Sequence, residues 1–183
     1  MHTTDENLLK YPIGHFECPE NITSKHIEAW IAVLEAFPAR LSVLVQPLSE
    51  SQLETPYRPG GWTLRQLVHH IADSHHHSYI RFKWALTENN PVIKPYDQDA
   101  WAALFDAKTA PLALSLDHIK SVHARLVYLL RKLDDDALNR AFIHPESRET
   151  VTLKKNIGMY AWHSEHHYAH IHALLLREGW LPR

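Results

Sequence analysis

The segment WHSEHHYAH, residues 162–170, places four histidines within nine residues. The chain has sixteen histidines in all, ten of them grouped at 69–70, 75–77 and 163–172. Imidazole is the commonest metal ligand and the side chain that titrates nearest neutral pH. His163 and His167 stand four residues apart, so on a helix their rings leave one face a turn apart and can share one ion. At helical spacing they fall on the stripe of Tyr160, Ile171 and Leu174, which is the inward one. An imidazole without a partner is costly there. His170 lies close to this stripe and His166 further round. A second cluster, on another helix, offers a third ligand, and three protein ligands with an open position are the pattern of a catalytic zinc-like centre. Neutral imidazoles suit zinc or nickel, whereas magnesium and calcium prefer oxygen. The competing reading is a set of core histidines satisfied by backbone carbonyls or carboxylates. It suits a lone histidine better than a pair at i, i+4 on a largely apolar helix.

Periodicity leaves the third ligand open. Leu67, Ile71 and Phe82 define the buried arc of the second long helix. His70 lies at its edge, His75 nearer its centre, and His69 further round toward solvent. His75 could equally support a neighbouring ligand. His76 and His77 read as surface or interface residues. Asp73, one turn from His70, could orient a ligand or face water. Arg81, three turns from His70 on one stripe, could meet an anionic substrate group or make a structural ion pair. Trp62, Tyr79, Trp84 and Trp162 read as pocket wall or plain core. Glu165 does not complete a zinc-protease signature. That motif needs glutamate directly after the first histidine, and here Ser164 intervenes. Glu165 reads as a surface residue.

Four long helices position these groups. The first starts near Thr23, with Ile27, Trp30, Ile31 and Leu34 at helical spacing, and Pro38 is expected to kink or interrupt it before Leu41. Residues 46–61 are a proline-rich connection ending in RPGG, a turn signal. The second helix starts at Thr63, whose spacing to Gln66 fits a capping box. A short helical piece is expected near Trp101 to Phe105. The third long helix carries Leu116, Ile119, Val122, Leu126, Leu129 and Leu130 and ends at Asp134 to Asp136. AFIHPESRETVTL reads as a small β-hairpin. The fourth helix runs from about Leu153 to Glu178, with Gly179 as its C-terminal cap. The expected fold is all-α: a four-helix bundle with a short extra helix and a small β-hairpin, in a single domain over residues 1–183 whose residues 1–22 are irregular.

Bulk composition narrows the function classes. A chain of 183 residues with 45% hydrophobic and 22% charged side chains can bury a full core. A net charge of −2 gives no electrostatic case for nucleic acid or an anionic membrane. Cys18 is the only cysteine, so no internal disulfide forms, which fits a reducing cytosol. The first residues are acidic and lack an apolar run of signal length, and no stretch is apolar enough to span a bilayer.

YPIG at 11–14, TPYRPGGWTLRQLVHHIADSH at 55–75, SYIRFKWALTE at 78–88, PYD at 95–97 and YAWHSEHHYAHI at 160–171 resemble, in order and over nearly the whole chain, the YfiT family within the DinB-like superfamily. That family is named for metal-dependent hydrolysis. The resemblance implies a four-helix bundle, a cytoplasmic homodimer and one divalent ion per subunit, zinc or nickel. It implies three ligands: the second histidine of the HH pair, the histidine of WH, and the one four residues later. Carried onto this chain these are His70, His163 and His167. Family sequences can carry histidine where this chain has Glu165, a position that is not a ligand. The implied activity is hydrolysis of a small-molecule substrate by activated water. The alternative is transfer of a low-molecular-weight thiol of the bacillithiol type to an electrophile, as relatives in the superfamily do. A third reading is a metal that only stabilises or senses.

Overall fold

The computed structural model describes residues 8–181. In chain order its elements are α1 (Ser24–Val45), α2 (Glu50–Leu53), α3 (Leu64–Thr87), α4 (Gln98–Ala102), α5 (Phe105–Thr109), α6 (Leu112–Leu130), α7 (Asp135–Asn139), β1 (Ala141–His144), β2 (Glu149–Thr152) and α8 (Leu153–Arg177). Residues 8–10 are also helical, and 11–22 carry no helix or strand; residues 1–7 of the expected irregular segment lie outside the described residues. The long helices α1, α3, α6 and α8 form a four-helix bundle. α1 packs on α6 and α8, and α3 packs on the same two, so α1 and α3 are diagonal. Among the described residues, no helix is long and apolar enough to cross a membrane.

Local chemistry sets the helix starts. Thr23 accepts from the His26 N–H, and Thr63 from the Gln66 N–H with Gln66 returning the bond to the Thr63 N–H. Thr152, the last residue of β2, caps α8 by accepting from the Lys155 N–H. The hairpin pairs β1 and β2 antiparallel, with Phe142 opposite Val151. It thereby delivers the chain to the start of α8. At the far end Gly179 takes φ +70°, and the Trp180 and Gly179 N–H groups bond to the carbonyls of Leu175 and Leu176. This is a Schellman stop, which glycine favours because it has no Cβ to clash.

Three expectations about helix boundaries are corrected. α1 runs unbroken through Pro38. Asp134 does not end α6 but starts α7, because its carboxylate accepts from the Ala137 N–H. The piece near Trp101 to Phe105 is two helices, α4 capped by Asp97 and α5, and a further turn, α2, is capped by Ser49 within the 46–61 connection.

The core falls into two apolar clusters. One holds Phe37, Leu41, Leu67, Ile71, Leu116, Ile119 and Leu174; the other holds Ile31, Leu34, Phe82, Leu126, Leu130, Ile157 and Tyr160. On α3, α6 and α8 the buried polar residues between them include His70, Ser74, His75, His123, Ser164 and His167. The bundle thus carries a polar layer across its middle, clamped from both ends by apolar packing.

α1 and α8 approach closely at Gly158, where an added Cβ would lie 2.8 Å from the Trp30 ring. Alanine there would gain about 1 kcal/mol of helix propensity. Overpacking against a ring held by His26 and Phe16 costs about 1–3 kcal/mol. Gly158→Ala is therefore expected to lose on the order of 1 kcal/mol net, read as a lower denaturant midpoint at unchanged m-value. A midpoint at or above that of the native protein would refute the tight approach.

Candidate metal centre

His70 lies two turns into α3, and His163 and His167 lie one turn apart in the middle of α8. These helices are neighbours in the bundle, and their packing brings the three rings together. One ligand atom from each histidine lies within 4.8 Å of the other two. His163 Nε2 is 3.0 Å from His167 Nε2. The His70 ring centroid is 5.6 Å from that of His163 and 5.1 Å from that of His167. Around zinc, with Zn–N near 2.0–2.1 Å and tetrahedral angles, ligand nitrogens are separated by about 3.3 Å. Small ring adjustments reach that spacing. His70 and His167 are buried, and His163 is partly exposed.

Electrostatics keep these nitrogens available. Burial, followed by the neighbouring His166, pushes His70 down to about 4. Burial again, then the adjacent imidazoles, hold His163 and His167 well below the ordinary histidine range. All three are neutral at neutral pH, the state a cation requires. The donor set thus fits a borderline-soft divalent ion. Trp62 packs on His70 at 4.7 Å between centroids, and Trp162 stacks on His166 at 4.6 Å. His166 and His170 form a second i, i+4 pair with Nε2 atoms 3.2 Å apart.

The other candidates separate cleanly. His69 is buried, not turned to solvent. Its Nε2 donates to the Ala110 carbonyl at 3.2 Å, leaving Nδ1 to accept from the Ser115 hydroxyl at 2.6 Å. Both its nitrogens are thereby occupied. His75 is buried beside His163, with its Nε2 3.1 Å from His163 Nδ1. His76 pairs with His118, and His77 donates to the Asp73 carbonyl while stacking on Tyr96. Asp73 is half-buried and makes no hydrogen bond to His70 among the described residues; burial and Asp106 raise it to about 6. Glu165 is half-buried, not free surface, because Arg40 of α1 grips its carboxylate. Arg81 is buried, has no carboxylate within ion-pair distance among the described residues, and reaches the Tyr160 hydroxyl at 3.5 Å. With Asn156 and His144 it borders a cavity of 240 Å³.

His123 escaped the sequence reading. It is buried on α6, with Nε2 2.8 Å from His75 Nδ1 and Nδ1 2.6 Å from the Leu34 carbonyl. Its signal was present, since it stands four residues from Ile119 and three from Leu126 on the inward stripe.

A model of the DinB superfamily matches residues 33–171. YfiT of Bacillus subtilis, provisionally named a metal-dependent hydrolase, is 51% identical over 172 residues, covering 94% of this chain and 97% of its own. This chain belongs to the DinB superfamily. A Bacillus pumilus relative, with the same provisional naming, is 49% identical over 172 residues, covering 94% of this chain and 98% of its own. The solved structure of the Bacillus subtilis YfiT, described as having an unusual four-helix bundle topology, superposes with a TM-score of 0.92 at 50% identity, over 94% of this chain and 99% of that one. The DinB bundle expected from the sequence is therefore the fold observed.

The depressed histidines make metal-free stability depend on pH. His70, His123 and His166 lie at about 4 in the fold against 6.5 as the reference value. Between those values the unfolded chain binds more protons, so stability rises with pH through the window and falls as pH drops from 6.5 toward 4. Asp73, raised to about 6, has the opposite sign but is a single half-buried group. Denaturation midpoints of the metal-free protein should decline steadily across this window. A flat profile from pH 6.5 to 4 would contradict the buried, neutral layer.

Proposed function

We propose that this DinB-superfamily protein is a metal-dependent hydrolase whose His70, His163 and His167 hold one divalent ion, zinc or nickel. The observation that carries the reading is the convergence of three neutral imidazole nitrogens, with no fourth histidine, cysteine or carboxylate atom joining the group among the described residues. The relatives' provisional naming as metal-dependent hydrolases supports the same reading. When bound, such an ion would polarise water and bring its pKa toward neutrality, supplying a nucleophile for an ester, amide or thioether substrate.

The chain's own residues contribute position and environment. Burial keeps the ligands deprotonated without a base having to remove a proton first. The i, i+4 spacing on α8 sets two ligands at fixed angle, and α3 brings the third from a neighbouring helix. Trp62 walls the site against bulk water on the His70 side. The partial exposure of His163 leaves a side through which a small molecule can reach the centre.

The deciding experiment strips and restores the metal. Protein purified without nickel resin, dialysed against a chelator, is expected to fall to the buffer rate on a panel of ester, amide and thioether substrates and to recover with zinc or nickel. His163→Ala and His167→Ala should lose metal while keeping the helical circular-dichroism signal. Turnover that survives chelation would sink the proposal. In parallel, consumption of monochlorobimane with a bacillithiol-type thiol, faster than by thiol alone, together with no hydrolysis, would replace hydrolysis with thiol transfer at the same ion.

A further inference from the structure

We propose that His75 and His123 are positioning residues that hold the proton of His163 on Nδ1 and so aim the lone pair of its Nε2 at the metal position. This rests on the reading of His163 as a ligand. The argument starts at Pro38, in α1. Proline has no N–H, so the carbonyl four residues back loses its helical partner. That carbonyl is Leu34, and it is 2.6 Å from His123 Nδ1. A carbonyl only accepts, so His123 must carry hydrogen on Nδ1.

The polarity then propagates. With Nδ1 protonated, neutral His123 presents a lone pair at Nε2, which is 2.8 Å from His75 Nδ1. His75 therefore donates from Nδ1 and presents a lone pair at Nε2. That atom is 3.1 Å from His163 Nδ1, which must in turn be the donor. His163 is left with its lone pair on Nε2, the atom 3.0 Å from His167 Nε2. The metal end demands the same arrangement, because a ligand nitrogen cannot carry hydrogen. Two independent boundary conditions, a carbonyl at one end and a cation at the other, thus agree along three hydrogen bonds. Reversing the chain would need a doubly protonated histidine against Phe37 and Leu34, with no carboxylate among the described residues hydrogen-bonded to His75 or His123. Buried charge without a partner is strongly disfavoured.

The three ligands are consequently unequal. His167 Nδ1 is buried with no acceptor among the described residues, and no hydrogen bond to the His70 ring occurs among them. His163 alone holds its ligand tautomer before any ion arrives, whereas the proton that His167 directs from Nε2 at the His163 lone pair would have to move to Nδ1. The relay that sets His163 crosses the bundle from α8 to α3, α6 and α1. Outer partners of this kind typically change metal affinity by about 10–100-fold.

Two measurements test this on the full chain. Long-range proton–nitrogen NMR of the ¹⁵N-histidine protein, metal-free at neutral pH, should show His163, His75 and His123 all protonated on Nδ1. Zinc should then shift His163 Nε2 without moving its proton. Competition against a zinc chelator should show His75→Leu binding roughly 10–100-fold more weakly. His75→Gln, whose amide can accept from His163 and donate to His123, should recover most of that loss. The proposal is overturned by an Nε2–H tautomer at His163, or by a folded His75→Leu that binds zinc as tightly as the native chain. If His75→Leu does not fold, the native tautomer alone decides. If the native chain takes up no zinc, the hydrolase reading fails, while the tautomers still decide the relay.

Discussion

An imidazole removed from water must find partners for both of its nitrogens, and the middle of this bundle contains several such rings. That requirement organises the molecule. The apolar clusters at either end supply most of the favourable burial and take most of the rings between them out of contact with solvent. The layer must therefore satisfy itself. His69 does so with a hydroxyl and a carbonyl, His123 with a carbonyl and a histidine, and His75 with two histidines. The remaining nitrogens, on His70, His163 and His167, point at one another. A proton on His167 Nε2 can bridge to His163, but it leaves the buried Nδ1 of His167 as a lone pair without a partner among the described residues. A cation would take up the converging lone pairs instead.

The DinB bundle solves the positional part with few devices. A capping box starts α3 at Thr63 and thereby fixes where His70 falls along the helix. The small hairpin ends in Thr152, which caps α8 and fixes where His163 and His167 fall. Gly158 lets α8 lie close against α1, and Arg40 pins Glu165 about two turns further on. None of these devices involves the three histidines themselves, yet a one-residue shift in the start of either helix would rotate its histidines by about 100°.

Much of this was legible in the residues themselves. The four long helices, the hairpin, the Thr63 cap and the Gly179 stop follow from spacing and turn chemistry, because these are local signals. The i, i+4 histidine pair is equally local. The choice among His69, His70 and His75 was not, since helical projection gives an angle but not what lies opposite. His69 looked solvent-facing until α5 and α6 covered it with Ala110 and Ser115. Pro38 looked like a kink or a break because proline removes a hydrogen bond, and the helix continues through it. The carbonyl it orphans finds its partner eighty-nine positions away in sequence, on a helix that no local rule places there. His123 was missed for the same reason: it is a single histidine in an apolar stripe, meaningful only through what it touches.

The partial exposure of His163 has a bearing on how an ion would come and go. Of the three rings around the centre, the one nearest the outside is also the one hydrogen-bonded from behind, while among the described residues the two deeper rings have no such hydrogen bond. Entry and exit would pass the ring that is hydrogen-bonded to His75. On the proposed relay, the ring nearest the outside would be the one already oriented, so uptake of the ion would turn on how readily the two deeper rings reorient.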